Sequence, residues 1–535
     1  MSQIETVGFV FLLLLFFIVV FGIAARKLKI AYPIVMVLGG LGLSFIPAIP
    51  AITLNPDLIF LVVLPPLLYS SAWTTSWRDF RYNIVSISAL AFGLVAFTVI
   101  GVAVAAPHVF PGFDWRLGLV LGAIVAPTDA IAASSIAQRI GLPGRIVDIL
   151  EGESLVNDAS GLLALEFAIG IVVSQRFPTF SSGLLTFLWL TTGGIAIGLA
   201  VGWIVNRFER WIDDGPIEVS ISILVPFVAY LAAQSVRASG VLAVVSCGLF
   251  LSRRSAGFFS PSVRIGVWSV WESLTFILNG LVFVLIGLQF QTMRASIRGY
   301  GVRTIVLYGT IFSLLLILLR LAWVFPGAGL SYWIRRRFLH QHETSPDARY
   351  KFVVGWTGMR GVVSLAAALA LPMVLADGSP FPRRDLIVCL TFCVILVTLV
   401  LQGLTLPPLI RFLGLASAAG PDCEELEARR IVAEAAVEHL EGAKVRDDGT
   451  ADEVYEDLSN HYRQRLKSIG VSADPGDVSN YEHYVALLLE TLRVERETAI
   501  RLRNEGRIND TVLRRLEREL DLSESRLIDR DGFAD

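Results

Sequence analysis

Apolar runs of roughly 20 residues recur along this chain from Val7 to about Leu415, and each is long enough to cross a bilayer as a helix. Backbone N–H and C=O groups find no water in hydrocarbon, so a chain with runs of this length has to satisfy them within helices. Of the 535 residues, 54% are hydrophobic, which is typical of a polytopic membrane protein. We therefore predict an all-α polytopic membrane protein with about 13 transmembrane helices. The predicted cores are residues 7–24, 32–47, 57–72, 84–106, 117–137, 146–174, 183–205, 218–235, 239–251, 268–290, 304–334, 352–374 and 386–412.

The first apolar run is predicted to remain in the protein as a membrane helix. Its basic residues Arg26, Lys27 and Lys29 follow the apolar stretch, and no basic segment precedes it. A cleaved signal peptide has the opposite order.

Charge divides the chain into two parts. Residues 1–420 carry a net charge of +9 and residues 421–535 a net charge of -11. The sequence predicts a transmembrane domain over residues 1–415 and a small, helical, acidic cytoplasmic domain over residues 421–535. Basic residues alternate between loops, and the positive-inside rule then places the N-terminus outside and the C-terminal tail in the cytoplasm. We expect a multi-pass protein of the cell membrane (plasma or inner membrane), in contact with the lipid bilayer.

Several classes of function lack their usual signals. All six histidines lie outside the predicted helix cores, which argues against a histidine-based metal catalyst. The four cysteines form no C-x-x-C pair, and the chain has no phosphate-binding loop. We expect no cofactor, no nucleotide, no nucleic-acid partner and no enzymatic activity.

The run Glu153–Asp158, with the sequence Glu-Ser-Leu-Val-Asn-Asp, places two carboxylates, a hydroxyl and an amide inside an apolar stretch. Charge in hydrocarbon costs about 3 kcal/mol per residue on insertion scales, so such a cluster indicates function. Residues four apart share a helix face, which pairs Ser154 with Asp158 and Glu153 with Asn157. Oxygen ligands in this arrangement suit a hard monovalent cation.

Two apolar spans contain helix-breaking residues. Pro127 disrupts the fifth span beside Thr128 and Asp129, and the segment 355–361 brings three glycines and Arg360 into the twelfth. Interrupted spans at matching places in two halves are typical of transporters with inverted repeats.

A buried arginine needs an anionic partner. We predict that Arg360 forms a structural ion pair with Glu153. Arg320 is a second buried cation, whose partner the sequence does not identify.

Four motifs occur together in this order: Leu64-Pro65-Pro66, Ala126–Asp129, Glu153–Asp158 and Gly358–Gly361. With them, the chain resembles the monovalent cation:proton antiporters, in the branch of bacterial sodium/proton antiporters and animal sodium/proton exchangers. The resemblance covers most of residues 7–412. The tail stretch from Gly506 to Leu527 is similar to the tail of bacterial members.

The resemblance implies a homodimer with dimerisation helices and a mobile core that carries two crossed, broken helices. It implies that Asp158 binds the ion and Asn157 neighbours it, with Ser154 and Thr128 as coordinating groups for Na⁺. From its place beside Pro127 we also count Asp129 among the predicted ion-binding residues. It also implies that Glu153 and Arg360 are a buried ion pair. Asparagine in place of aspartate at position 157 implies electroneutral exchange.

One position departs from some relatives, which have an acidic residue after the Leu-Pro-Pro segment. This chain has Ser70 near that place, so the ion site would lose a carboxylate and the choice among Na⁺, Li⁺ and K⁺ stays open.

The function expected from these residues is one-for-one exchange of a monovalent cation, Na⁺ first, for H⁺, with Asp158 binding cation and proton competitively. A K⁺/H⁺ antiporter of the same family is the first alternative. Two alternatives come from other classes: a passive cation channel, and an intramembrane aspartyl protease with Asp129 and Asp158 as its dyad.

Overall fold

The structure, a computed structural model, is helical throughout the residues that it describes, apart from loops and one isolated bridge between Val374 and Pro380. The described residues are 3–47, 55–140, 142–174, 180–209, 211–212, 214–254, 261–296, 301–340, 347–375, 378–415, 423–446, 452–468, 475–505, 507 and 510–528. Gly506, in the tail stretch noted above, lies outside them.

Fifteen helices precede residue 416 in the described part of the chain, and each predicted core falls on one helix or on a broken pair. They are α1 Gln3–Leu28, α2 Tyr32–Leu43, α3 Pro56–Thr74, α4 Trp77–Val109, α5 Trp115–Val125, α6 Ala130–Ile140, α7 Gly144–Ser174, α8 Phe180–Glu209, α9 Gly215–Ser235, α10 Gly240–Arg254, α11 Pro261–Ser296, α12 Val302–Phe338, α13 Ala348–Trp356, α14 Val362–Leu369 and α15 Arg384–Phe412. Among described residues, nine helices are long and apolar enough to cross a membrane, and α2 and α5 are shorter apolar helices. The predicted all-α polytopic architecture is confirmed.

Several of these helices begin at a side chain that accepts a backbone N–H of the first turn. Asp114 accepts from the N–H of Leu117 at 2.9 Å and Asp214 from the N–H of Ile217 at 3.1 Å. Such caps satisfy donors that have no partner within the helix. The caps fix where α5 and α9 start at the ends of their apolar runs.

The membrane helices form two halves of related packing, α1–α7 and α9–α15, with α8 between them. In the first half α3 packs against α10 and α9, and in the second half the equivalent α11 packs against α2 and α1. Likewise α4 packs against α5 and α7, as α12 packs against α13 and α15. With each broken pair counted as one span, equivalent helices are seven spans apart, so successive crossings give them opposite directions. This is the inverted repeat that the two interrupted spans predict.

The broken spans are α5–α6, interrupted at 126–129, and α13–α14, interrupted at 357–361. The two interruptions touch, because the backbone N–H of Asp129 donates to the carbonyl of Met359 at 2.8 Å. A Cβ at Gly361 would overlap the carboxylate of Asp129. Glycine is required there for the two segments to cross at this distance.

The chain divides into two compact units, Met1–Ala418 and Ala419–Asp535. In the second unit the described residues form α16 Cys423–Arg446, α17 Asp452–Ser468, α18 Pro475–Asn504 and α19 Asp510–Ile528. Arg496 of α18 pairs with Asp521 and Glu524 of α19, each at 2.6 Å. The tail is therefore helical, as its periodicity predicts, while its cytoplasmic placement remains a prediction.

Candidate ion-binding site

A cavity of about 60 Å³ lies where the two interrupted spans meet α7. A water molecule needs roughly 10–15 Å³ measured in this way, so the space suits a partly hydrated ion. Its polar lining comes from α7, the two interruptions, α14, α3 and α11: Thr128, Asp129, Glu151, Ser154, Asp158, Ser71, Asn279 and Ser364. The rest is apolar and includes Leu67, Leu68, Val282 and Phe283 of α3 and α11.

Asp158 lines this cavity and is 6% exposed. Within the described part of the chain, its carboxylate has neither a hydrogen-bond nor an ion-pair partner. A buried, unpaired carboxylate is costly unless it is protonated or binds a cation. The geometry therefore leaves Asp158 available for a proton or a metal ion.

Four other predicted residues form one hydrogen-bonded network beside Asp158. Ser154 Oγ donates to the carbonyl of Thr128 at 2.7 Å, which fixes α7 against the first interruption. The amide Nδ2 of Asn157 donates to Thr128 Oγ1 at 2.7 Å, and that hydroxyl donates to Glu153 Oε1 at 3.3 Å. Within the described residues, Asn157 Oδ1 makes no hydrogen bond, so this oxygen is a further candidate ligand.

Asp129 is half-buried at the start of α6 and also lines the cavity. Its Oδ1 accepts the backbone N–H of Ile131 at 2.9 Å. A carboxylate at a helix N-terminus is stabilised by the first-turn donors and the helix dipole. Asp129 thus stabilises the interruption and still presents an edge to the cavity.

The predicted ion pair between Glu153 and Arg360 is wrong in its partner. Glu153 is paired with Arg320, whose Nη1 and Nη2 lie 2.5 and 2.8 Å from the two carboxylate oxygens. Both side chains are 1% exposed. Arg320 also donates to the carbonyl of Val354 from Nε and Nη2, each at 3.2 Å.

Arg360 is buried as expected but is bound to backbone carbonyls. Its Nε donates to the carbonyl of Val125 at 2.8 Å, and its Nη1 donates to the carbonyl of Gly358. Both carbonyls lie at helix ends created by the interruptions, where no N–H within the helix can reach them. The guanidinium therefore neutralises the partial charge of two broken ends.

Ser70 does not line the ion cavity; its neighbour Ser71 does. The Ser70 hydroxyl accepts a hydrogen bond from Thr275 Oγ1 at 3.2 Å and lines a separate cavity. The prediction that Ser70 stands beside the ion is therefore corrected by one residue.

Two residues of the cavity carry signals that sequence reasoning passed over. Ser364, in the first turn of α14, is 1% exposed, and within the described residues its hydroxyl makes no hydrogen bond. Asn279 of α11 donates to the hydroxyl of Tyr32 at 3.4 Å. Each is an isolated polar residue in an apolar helix. This isolation is the one sequence signal that could have identified them as candidate site residues.

Comparison with known proteins gives concordant results. Residues 11–412 match the family model described as the transmembrane sodium/hydrogen exchanger. An uncharacterized Na⁺/H⁺ exchanger of Mycobacterium tuberculosis is 32% identical over 96% of this chain and 94% of its own length. The Na⁺/H⁺ antiporter ApNhaP of Aphanothece halophytica is 32% identical over 77% of this chain and 75% of its own length.

A relative from Bacillus pumilus, named as a sodium, potassium, lithium and rubidium/H⁺ antiporter, is 34% identical over 82% of this chain and 66% of its own length. Among solved structures, the sodium proton antiporter MjNhaP1 of Methanocaldococcus jannaschii superposes with a TM-score of 0.59 at 20% identity. The superposition covers 78% of this chain and 100% of that protein, so the fold is shared.

Proposed function

Since the chain belongs to the sodium/hydrogen exchanger family, a family of membrane antiporters, we propose that it exchanges Na⁺ for H⁺ one for one at Asp158. The observation that carries the proposal is the buried, unpaired carboxylate of Asp158 in a small cavity lined by hydroxyl and amide groups. Of the three carboxylates in the described part of the chain that line the cavity, those of Asp129, Glu151 and Asp158, the last is the one that exchanges its occupant in this proposal, while Thr128, Ser154 and Asn157 supply neutral oxygens. The transported cation is the substrate of this site.

Coupling follows from competition for one carboxylate. With either Na⁺ or a proton bound, Asp158 is neutral and passes the apolar barrier at low cost. The bare carboxylate is penalised by several kcal/mol, roughly 3 kcal/mol on insertion scales, so the empty site crosses rarely. Each cation that moves in one direction is therefore balanced by a proton in the other.

Asn157 supports an electroneutral exchange. Its side chain does not titrate, and its Nδ2 is committed to Thr128 Oγ1. One carboxylate that changes its occupant moves one positive charge in each direction. No net current is then expected.

The lining of the cavity supports an elevator-like motion. Most of its polar lining belongs to α7, α14 and the two interruptions, whereas α3 and α11 contribute the apolar wall of Leu67, Leu68, Val282 and Phe283 along with the polar Ser71 and Asn279. A largely apolar wall allows the helices that carry Asp158 to slide along it with few hydrogen bonds to break. The proposed motion carries Asp158 from one side of that wall to the other.

A K⁺/H⁺ exchanger is the second candidate, because the name of the Bacillus pumilus relative includes potassium, lithium and rubidium. We further propose a homodimer in the cell membrane with the tail in the cytoplasm. In the most apolar 18-residue stretches of α1 and α8, only 17% and 11% of the residues are buried. The exposed apolar faces of these two helices provide surface for lipid and for a second copy.

The test is exchange by the purified full-length protein in proteoliposomes with an imposed pH gradient. Added Na⁺ should dissipate the gradient in wild type, and valinomycin with K⁺ should leave the rate unchanged because no current flows. Asp158→Asn should give no exchange above empty liposomes while the protein elutes as before in size-exclusion chromatography.

Asp148→Asn is the matched control, since Asp148 lies on the same helix but does not line the cavity. It should exchange as wild type does. Exchange by a folded Asp158→Asn protein would refute the mechanism, and a valinomycin-sensitive rate would refute electroneutrality. Parallel runs with K⁺ and Li⁺ decide between the two candidates.

A further inference from the structure

A second cavity, of about 490 Å³, lies away from the ion site between α4, α7, α12 and α13. This volume is within the range of roughly 300–1,000 Å³ that is typical of small-molecule sites. Its floor is apolar, formed by Leu90, Ile146, Ile149, Val324, Ala328 and Val354. A ligand with a hydrocarbon portion would be shielded from water there.

Among the described residues, the charged groups that line this cavity are mostly basic. They are Arg145, Arg335 and Lys351, together with the acidic Asp347. The hydroxyls of Ser86, Ser331, Tyr332 and Tyr350 add neutral hydrogen-bonding groups. Three cations with hydroxyl donors are the chemistry that recognises a phosphate.

Both arginines of the cavity contact one tyrosine. The guanidinium carbons of Arg335 and Arg145 lie 5.2 and 5.8 Å from the ring centre of Tyr82. Arg335 is also fixed by hydrogen bonds from Nη2 to the carbonyl of Tyr82 at 2.7 Å and to Asn83 Oδ1 at 3.1 Å. These contacts hold the two guanidinium groups in defined positions, and a guanidinium in a fixed position binds a phosphate with directional, charge-assisted hydrogen bonds.

We propose that this cavity binds a phosphate-bearing amphiphile, with the phosphate at Arg145, Arg335 and Lys351 and the hydrocarbon portion on the apolar floor. An anionic membrane lipid and a soluble organic phosphate share this chemistry. Because the cavity is lined by residues of apolar helices and by three basic side chains, which attract anionic headgroups, the lipid is the expected source.

The site is connected to the ion-binding region through α13. Val354 lines the cavity, and its carbonyl accepts both hydrogen bonds that Arg320 donates outside its pair with Glu153. A ligand that packs on Val354 therefore stabilises the helix that leads into the second interruption. Binding is independent of the proposed transport activity and is measured without it.

The test is thermal stability of the full-length protein in detergent, titrated with phosphatidylglycerol and, as the uncharged-headgroup reference, phosphatidylcholine. Phosphatidylglycerol should raise the Tm of wild type, whereas phosphatidylcholine should not. Each basic residue near an anionic lipid contributes about a five-fold gain in affinity, so Arg145→Gln/Lys351→Gln should raise the half-saturating lipid concentration about 25-fold.

Arg337→Gln is the matched control, since Arg337 is exposed on α12 and does not line the cavity. It removes one charge near the same end of α12 and should leave the titration unchanged. Ala328→Phe keeps every charge and fills the cavity, so it should abolish the lipid effect if the double variant fails to fold.

Inorganic phosphate separates the two sources. Stabilisation by millimolar phosphate that is lost in the double variant would support the same site with a soluble ligand. Equal effects of the two lipids on wild type, or an equal loss of response in Arg337→Gln and the double variant, would overturn the proposal.

Discussion

The Glu153–Arg320 pair makes a prediction that distinguishes the structure from the sequence-based pairing with Arg360. Arg320→Gln removes two bonds to the Glu153 carboxylate and two to the carbonyl of Val354. Both side chains are 1% exposed, so Glu153 would be left buried with the hydroxyl of Thr128 as its one remaining hydrogen-bond partner among the described residues. Breaking a buried pair costs about 3–5 kcal/mol, because the remaining charge is uncompensated.

The expected values come from a double-mutant cycle. Glu153→Gln and Arg320→Gln should each lower the free energy of unfolding by about 3–5 kcal/mol, or Tm by roughly 6–10 °C at about 2 °C per kcal/mol for a large chain. The double variant leaves no stranded charge, so it should be less destabilised than the sum, with a coupling energy of about 2–3 kcal/mol.

The assay follows the folded fraction of detergent-purified protein by size-exclusion chromatography after heating. The comparison cycle uses Glu153→Gln with Arg360→Gln, and its coupling should stay below about 1 kcal/mol because Arg360 contacts carbonyls instead. Arg337→Gln, exposed on the same helix as Arg320, should not change Tm. An additive Glu153–Arg320 cycle, or stronger coupling of Glu153 to Arg360, would refute the pairing.

Three further substitutions test the cavity itself. Gly361→Ala should lower both stability, measured as Tm, and transport, measured as the exchange rate. The new Cβ would overlap the carboxylate of Asp129 and separate the crossing segments. Ser364→Ala should raise the KM for Na⁺ about five-fold with the maximal rate unchanged. The hydroxyl of Ser364 is proposed to contact the ion, and the loss of one polar contact of about 1 kcal/mol weakens binding by about that factor. Thr128→Val should cost about 2 kcal/mol of stability, because it leaves Asn157 Nδ2 without its acceptor.

Each substitution has a counterpart elsewhere in the membrane unit. Gly170→Ala meets open space and should be neutral or slightly stabilising. Ser313→Ala and Thr391→Val remove buried hydroxyls that bond only within their own helices, and both should leave the KM for Na⁺ unchanged. Similar effects in a substitution and its counterpart would show that the cavity has no special role.

Apolar runs and helix breakers were sufficient to predict most of the fold. Run length alone locates the spans, since hydrocarbon thickness fixes helix length, and Pro127 and the glycines around Arg360 mark the two interruptions. Four-residue spacing on one helix places Asp158 with Ser154. These are local properties, and each follows from the chemistry of a short segment.

Partners from distant segments could not be predicted in the same way. Arg320 and Arg360 both lie in apolar spans. The sequence does not show which of the two side chains lies close enough to Glu153 to pair with it. The choice depends on the orphan carbonyls of Val125 and Gly358, which exist only once both spans are broken and crossed.

The expectation at Ser70 comes from the resemblance to relatives, which identifies a stretch of chain but not the exact residue that faces the cavity. Residues Ile59–Val63 of α3 are wound as a π-type segment, in which the N–H of Leu64 reaches back five residues to the carbonyl of Ile59. Pro65 and Pro66 follow and donate no N–H, which favours such a distortion. Which face of α3 meets the cavity therefore depends on a local distortion and on packing, and neither is read from the sequence alone.

The proposed exchange at Asp158 requires that the buried arginines be paired with other groups. A carboxylate paired permanently with a guanidinium would gain little from a cation or a proton, so a working site needs its arginines engaged elsewhere. Arg320 is held by Glu153 and the carbonyl of Val354, and Arg360 by the broken helix ends. In the proposed mechanism Glu153, one helical turn before Asn157, therefore contributes indirectly: its pair with Arg320 keeps a positive charge from occupying the place of the ion.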